Sequence, residues 1–171
     1  MNRKLLAIVL VLAFAIMMLP ISAVFAVSPL IEVSGKISSV GTSTTVVKEV
    51  GENAFVALTT ASTWIPDITG GISGTTVGSQ TWIYHNGGDD THITVNVEIH
   101  FTTATVDGKT GTMTIEMNSI SWPNHREDNH GTWRIKDAAG GLAGLHGKGE
   151  WITYRNGVRV NVYEGTVHFN P

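Results

Sequence analysis

The chain has 171 residues, with fourteen acidic against eleven basic side chains and no cysteine, a length that suits one domain with a well-buried core and leaves no room for a second of ordinary size. Two basic residues and no acidic ones fall in the first 26 positions, so the remainder carries nine basic against fourteen acidic groups, a net charge of −5 with histidine neutral. That balance argues against a nucleic-acid partner, and the lack of cysteine leaves packing and sheet hydrogen bonds to hold the core.

Arg3 and Lys4 precede an uncharged apolar run from Leu5 to Leu19, the layout of a helical export signal. After Pro20, the stretch Ser22-Ala23-Val24-Phe25-Ala26 offers the small residues a signal peptidase accepts. Cleavage is expected after Ala26, with Ala23 a weaker site. The rival reading is an uncleaved membrane anchor, since no charge occurs between Lys4 and Glu32 and roughly 20 apolar residues cross a bilayer. Either way residues 27–171 form a single domain outside the cytoplasm, because the basic N-terminus is held inside. Contact with a membrane is expected only through this first segment.

All nineteen glycines lie beyond residue 26, and between them are short runs rich in Val, Ile, Thr, Trp and Tyr, residues that suit a pleated, half-buried surface. No stretch there has helical periodicity. Strands are expected at 31–40, 44–50, 54–61 and 75–85, with 65–78 reading as a loop that runs into the last of these. Residues 91–103 alternate cleanly, Ile93, Val95, Val97, Ile99 and Phe101 on one face and His92, Thr94, Asn96, Glu98 and His100 on the other, so one face is core and one is wet. Asp107-Gly108 reads as a two-residue hairpin turn into 110–122, and Asn156-Gly157 as another between 147–154 and 158–169. With a run at 131–136 the count is about nine segments, some of them continuations of one bent strand. Such a pattern is all-β, a barrel or a sandwich. A barrel is favoured because closure removes exposed strand edges.

The last third is the most distinctive part. It holds Gly131-Thr132-Trp133, then Gly140-Gly141-Leu142-Ala143-Gly144-Leu145-His146-Gly147-Lys148-Gly149, and closes on Tyr163-Glu164-Gly165-Thr166-Val167-His168-Phe169. On these elements, and in general layout over residues 31–170, the chain resembles domain-of-unknown-function family 3224, a bacterial and archaeal family whose barrel is similar to that of allene oxide cyclase and the dirigent proteins. The resemblance implies a closed antiparallel eight-stranded barrel with an apolar interior, which in the better-known relatives holds a hydrophobic ligand. It implies no activity, and no residue aligns with the buried carboxylate site of the cyclase. Independently of the resemblance, Gly140-Gly141 permit a turn that other residues resist, and Gly144, Gly147 and Gly149 permit close backbone approach. Leu142 and Leu145 are expected to plug one end. No helix signal or P-loop lysine follows, so the element is not read as a phosphate loop.

Several side chains could carry chemistry. His125, Glu127, Asp128 and His130 put two imidazoles and two carboxylates within six residues and could ligate zinc, but a solvated hairpin loop collects the same residues, and that reading is preferred. Asp89-Asp90 beside Asn86-Gly87-Gly88 could offer calcium oxygen ligands, with a turn the preferred reading. Glu98 and His100 are expected to form a weak pair on the wet face. Strict alternation from Val158, Val160 and Val162 would bury Glu164 and raise its pKa. Tyr163, Gly165, Val167 and Phe169 form a second inward series, however, so a bulge near Val162 is expected to switch the phase and return Glu164 to solvent.

Among five tryptophans, Trp82, Trp133 and Trp151 are candidates for a ligand cavity or for plain core. Trp64, beside Ile65-Pro66, is expected to be exposed for recognition. There is no G-x-S-x-G elbow and no cysteine nucleophile. No cofactor is implied. The leading expectation is an exported barrel that binds a small apolar or amphipathic molecule, or serves as a scaffold, without covalent catalysis. The alternatives are a cofactor-free isomerase or cyclase, with Glu164, Glu150 or His168 moving protons and Tyr163 orienting, and a glycan or cell-surface binder using exposed aromatics.

Overall fold

A computed structural model describes residues 28–85, 92–122, 129–154 and 160–170, with the side chains of 40–47, 154 and 160 left aside. The expected export signal, the Asp89-Asp90 turn and the Asn156-Gly157 turn lie outside the described residues. Eight strands follow in chain order: β1 Ile31–Val50, β2 Asn53–Pro66, β3 Ser73–His85, β4 His92–Val106, β5 Lys109–Ser121, β6 Asn129–Gly140, β7 Leu145–Tyr154 and β8 Val160–Phe169. Each is antiparallel to the next, and β8 returns to β1 from Ile31↔Val167 to Ile37↔Asn161. The single sheet therefore bonds into a ring, which leaves neither β1 nor β8 as an open edge. Among the described residues no helix is long and apolar enough to cross a membrane.

The nine expected segments become eight because 31–40 and 44–50 are one strand, carried past register shifts at Gly41 and Val47. Two more expectations are corrected. The loop assigned to 65–78 shrinks to residues 67–72, since β2 runs on to Pro66 and β3 begins at Ser73. Its inward series Val56, Leu58, Thr60, Ser62 and Trp64 is buried throughout, but two hydroxyls in that series disguise the period of two. The second correction concerns β8, which pairs with both neighbours without a register shift. No bulge occurs near Val162. Asn161, Tyr163 and Val167 share the inner phase, and Glu164 is exposed by plain alternation.

Turn chemistry explains the tight connections. Asp107 and Gly108 have φ of 49° and 73° between the paired Val106 and Lys109, as a two-residue hairpin turn requires. A turn not anticipated, Gly51-Glu52, joins β1 to β2 with Gly51 at φ 60°. Between β6 and β7, Gly140 and Gly144 take φ of 68° and 77°, and the turn between them drives Leu142 inward.

The interior is solid at the end where residues 67–72, 107–108 and 141–144 connect the strands. Ile72, Val106, Leu142 and Val167 are fully buried there, and Leu145 nearly so, so the expected leucine plug is found with Ile72 added to it. Above them Trp64 packs edge-on against Phe101 at 5.4 Å and tilted against Tyr163 at 4.6 Å between ring centroids. Burying one Phe-sized side chain is worth about 1.5–3 kcal/mol.

The glycines of β6, β7 and β8 make room for rings. Trp133 stands in register with Gly149, which pairs with Gly165. The indole lies across both, and a Cβ at either would meet it at 2.6–2.7 Å. Its Nε1 donates to the carbonyls of Glu150 and Glu164 at 3.1 and 3.0 Å. Trp151 lies over its register partner Gly131 in the same way, and Tyr163 over Gly35. The approach these glycines allow is thus of aromatic side chain to backbone.

Candidate functional site

Away from the plug, near the strand ends at His85, His92, Ser121 and Asn129, the interior holds a cavity of about 180 Å3. It exists because the inward positions change character along several strands, though not along β4. On β5 the inner series runs Met113, Ile115, Met117, then Ser119 and Ser121, so bulk falls away toward this end. On β2 the hydroxyls of Thr60 and Ser62 interrupt the apolar inner series between Leu58 and Trp64, and β8 contributes Asn161 where a large side chain would fill the space.

One wall is the inner face of β4, Ile93, Val95, Val97 and Ile99, joined by Ile37, Met117 and the indoles of Trp82 and Trp151. Hydroxyls and amides complete the lining, among them Ser39, Gln80, Ser119, Asn129 and Asn161. Several of these groups are satisfied within the protein. Ser62 Oγ and Thr76 Oγ1 are 2.6 Å apart. Gln80 Nε2 donates to Thr60 Oγ1 at 3.0 Å, while Gln80 Oε1 accepts from Trp82 Nε1 at 2.9 Å. Thr153 Oγ1 donates to Asn161 Oδ1 at 2.8 Å, and Trp151 Nε1 to the carbonyl of Asn118 at 3.3 Å. Ser119 Oγ, buried in this lining, has no partner. Among the described residues no ionisable side chain faces the cavity.

The four side chains suggested for proton chemistry are not brought together. Glu150 and Glu164 are exposed and stand opposite each other on the outer face of β7 and β8. His168 also faces outward, stacked on His146 at 5.6 Å. Tyr163 alone points in, but its hydroxyl donates to the carbonyl of Ile72 at 2.6 Å on the plug side. Burial pushes the Tyr163 phenol well above its ordinary value, although the bond to Ile72 acts in the opposite direction.

The tryptophans divide differently from expectation. Trp64 is 1% exposed and belongs to the core, which corrects its reading as an exposed recognition residue. It is the last inward residue of β2, and the following Ile65-Pro66 belong to the strand as well. Trp82 and Trp151 line the cavity, and Trp133 is buried in the wall. Of the suggested metal ligands, His125, Glu127 and Asp128 lie outside the described residues, and His130 is exposed on β6. Among the described residues no group of three or more His, Asp or Glu is placed to hold a metal. Glu98 and His100 do pair on the outer face, at 3.2 Å. Beside them Glu98 and Glu116 alternate with Lys136 and Arg134, the Lys136–Glu116 contact being 3.1 Å and the Arg134 Nε–Glu116 bond 2.7 Å.

The polar half of the cavity is what sequence reasoning missed. The signal was present in β5, where Ser119 and Ser121 continue the inward phase of Met113, Ile115 and Met117. Two serines among hydrophobic positions mark a lining that is neither core nor surface.

No family model matches the chain, and no curated protein matches it. A solved structure does: a crystal structure of a protein of unknown function from the DUF3224 family of Shewanella oneidensis MR-1 is similar with a TM-score of 0.59. The likeness covers 84% of this chain and 99% of that one at 16% sequence identity. The two chains share a fold.

Proposed function

We propose that the ring of strands is a ligand-binding barrel of the allene-oxide-cyclase-like kind, and that its cavity takes up a small uncharged amphipathic molecule without covalent chemistry. The observation that carries this reading is the lining of the cavity, an apolar wall on β4 faced with neutral hydroxyls and amides. An ion entering such a space would lose its hydration and gain no counter-charge, whereas a neutral molecule with both kinds of surface would not. Among the described residues the lining hydroxyls have no ionisable neighbour in the cavity to serve as the general base that nucleophilic catalysis requires, and on that lining binding is favoured over turnover.

The terminal sequence elements and the fold shared with a DUF3224 protein support placing the chain in that family. The basic and apolar layout of residues 1–26 supports export, by cleavage after Ala26 or as an anchored protein. The test is a calorimetric titration of the protein with benzyl alcohol, beside a Val95→Phe variant whose ring enters the cavity. Saturable binding that the variant loses while staying folded is the expected result. Equal heats from both proteins would remove the cavity from consideration.

A further inference from the structure

We infer that the cavity selects a neutral one-ring molecule bearing a hydroxyl or carbonyl oxygen, and that Ser119 is the residue that recognises that oxygen. This rests on the reading of the cavity as a binding site and goes beyond it in naming the ligand class and the selecting group.

Three observations converge on Ser119. The residue is buried, at 6% exposure, it lines the cavity, and its hydroxyl has no hydrogen-bond partner. Its place in the sheet explains why. Its register partners are Val95 on β4 and Gly131 on β6, neither of which offers a polar side chain. The space over Gly131 is taken by the Trp151 indole, whose only N–H is already given to the carbonyl of Asn118. The other side is the apolar wall of β4. An unpaired buried hydroxyl is disfavoured, and native structures fill such vacancies with a partner. The remaining pairs, Ser62 with Thr76, Thr60 with Gln80 and Thr153 with Asn161, are closed within the protein. Ser119 is thus a hydroxyl offered to whatever lies against Ile93 to Ile99.

Size sets the rest of the class. The volume is about 180 Å3, and a dry cavity of about 150 Å3 holds benzene. One ring with a short oxygenated substituent fits within it, and a fused polycycle does not. The absence of an ionisable lining among the described residues selects against carboxylates and amines of the same size.

The probes are toluene, benzyl alcohol and benzoate, titrated calorimetrically into the wild-type protein and into Ser119→Ala, which deletes only the unpaired hydroxyl. The expected outcome is that toluene and benzyl alcohol bind and benzoate does not. Ser119→Ala is expected to weaken benzyl alcohol about tenfold relative to toluene, the worth of one hydrogen bond. If both ligands respond equally to the substitution, Ser119 does not recognise the oxygen, although the cavity still binds. Tighter binding of benzoate would overturn the neutral class. If none of the three binds, the binding-site reading falls, and this inference with it.

Discussion

The hydroxyl of Tyr163, on the last strand, donates to the carbonyl of Ile72, 91 residues earlier, across a distance of 2.6 Å. Both residues are buried, at 1% and 0% exposure, and the bond ties the loop of residues 67–72 to the inner wall of β8. The floor of the cavity is therefore fastened to the seam at which β8 closes onto β1. Replacing Tyr163 by Phe keeps the ring over Gly35 and removes the donor, leaving the Ile72 carbonyl buried without its partner. We expect a loss of about 1–3 kcal/mol, read as a lower denaturation midpoint in urea with an unchanged slope.

The burial of the same phenol gives the protein an alkaline limit. Burial holds the Tyr163 phenol above its ordinary value in the folded state, so above about pH 10 the unfolded chain releases a proton that the folded chain keeps. Stability from this group is complete below pH 10 and declines above it, with a slope of about 1.4 kcal/mol per pH unit. Urea midpoints measured between pH 8 and pH 11 should fall more steeply for the wild type than for Tyr163→Phe. Parallel curves would contradict the assignment.

Trp64 separates the sequence expectation from the structure. An exposed recognition residue could be cut to alanine without cost to the fold. A residue packed against Phe101 and Tyr163 cannot, and Trp64→Ala is expected to cost about 3–5 kcal/mol. Thermal unfolding followed by circular dichroism distinguishes the two.

Gly165→Ala tests the seating of Trp133. The added Cβ would stand 2.7 Å from the indole and from the backbone of Gly149, with no flexible side-chain end to yield. Destabilisation of about 1–3 kcal/mol is expected from overpacking, together with a change in the near-ultraviolet dichroism of the tryptophans. An unperturbed spectrum would mean the ring does not lie where described.

On the outer face, the bonds from Arg134 and then Lys136 hold the Glu116 carboxyl below its ordinary value. A depressed carboxyl contributes stability above its ordinary pKa and loses it as pH falls through the folded value. The groups are exposed, so the effect on stability is small, but the titration is measurable. A carbon-detected NMR titration of Glu116 should move toward the ordinary value in Arg134→Gln, with high salt narrowing the difference.

The sequence made some of this architecture legible and concealed the rest for definite reasons. The alternation of Ile93 to Phe101 reads without error because every inward position on β4 is apolar and every outward one polar or charged. The Asp107-Gly108 turn reads because few other pairs accept positive φ twice. Thr60, Ser62, Ser119 and Asn161 defeat the same rule, since a polar residue facing a cavity looks like one facing water. Glu164 faces solvent by plain alternation and not through a bulge: the three valines before it suggest burial, yet the inner phase belongs to Asn161 and Tyr163. Gly149 reads as a close-approach site, but that an indole approaches it follows only from the register of β6 with β7.

Because β1 and β8 lie side by side, the chain enters and leaves the ring at one pole, and that pole is the sealed one. Ile31 sits beside Val167, and the amide of Asn170 donates to the carbonyl of Gly144 in the plug turn at 2.8 Å. A tether running from residue 28 would thus leave the molecule from its plugged base, opposite the strand ends that border the cavity.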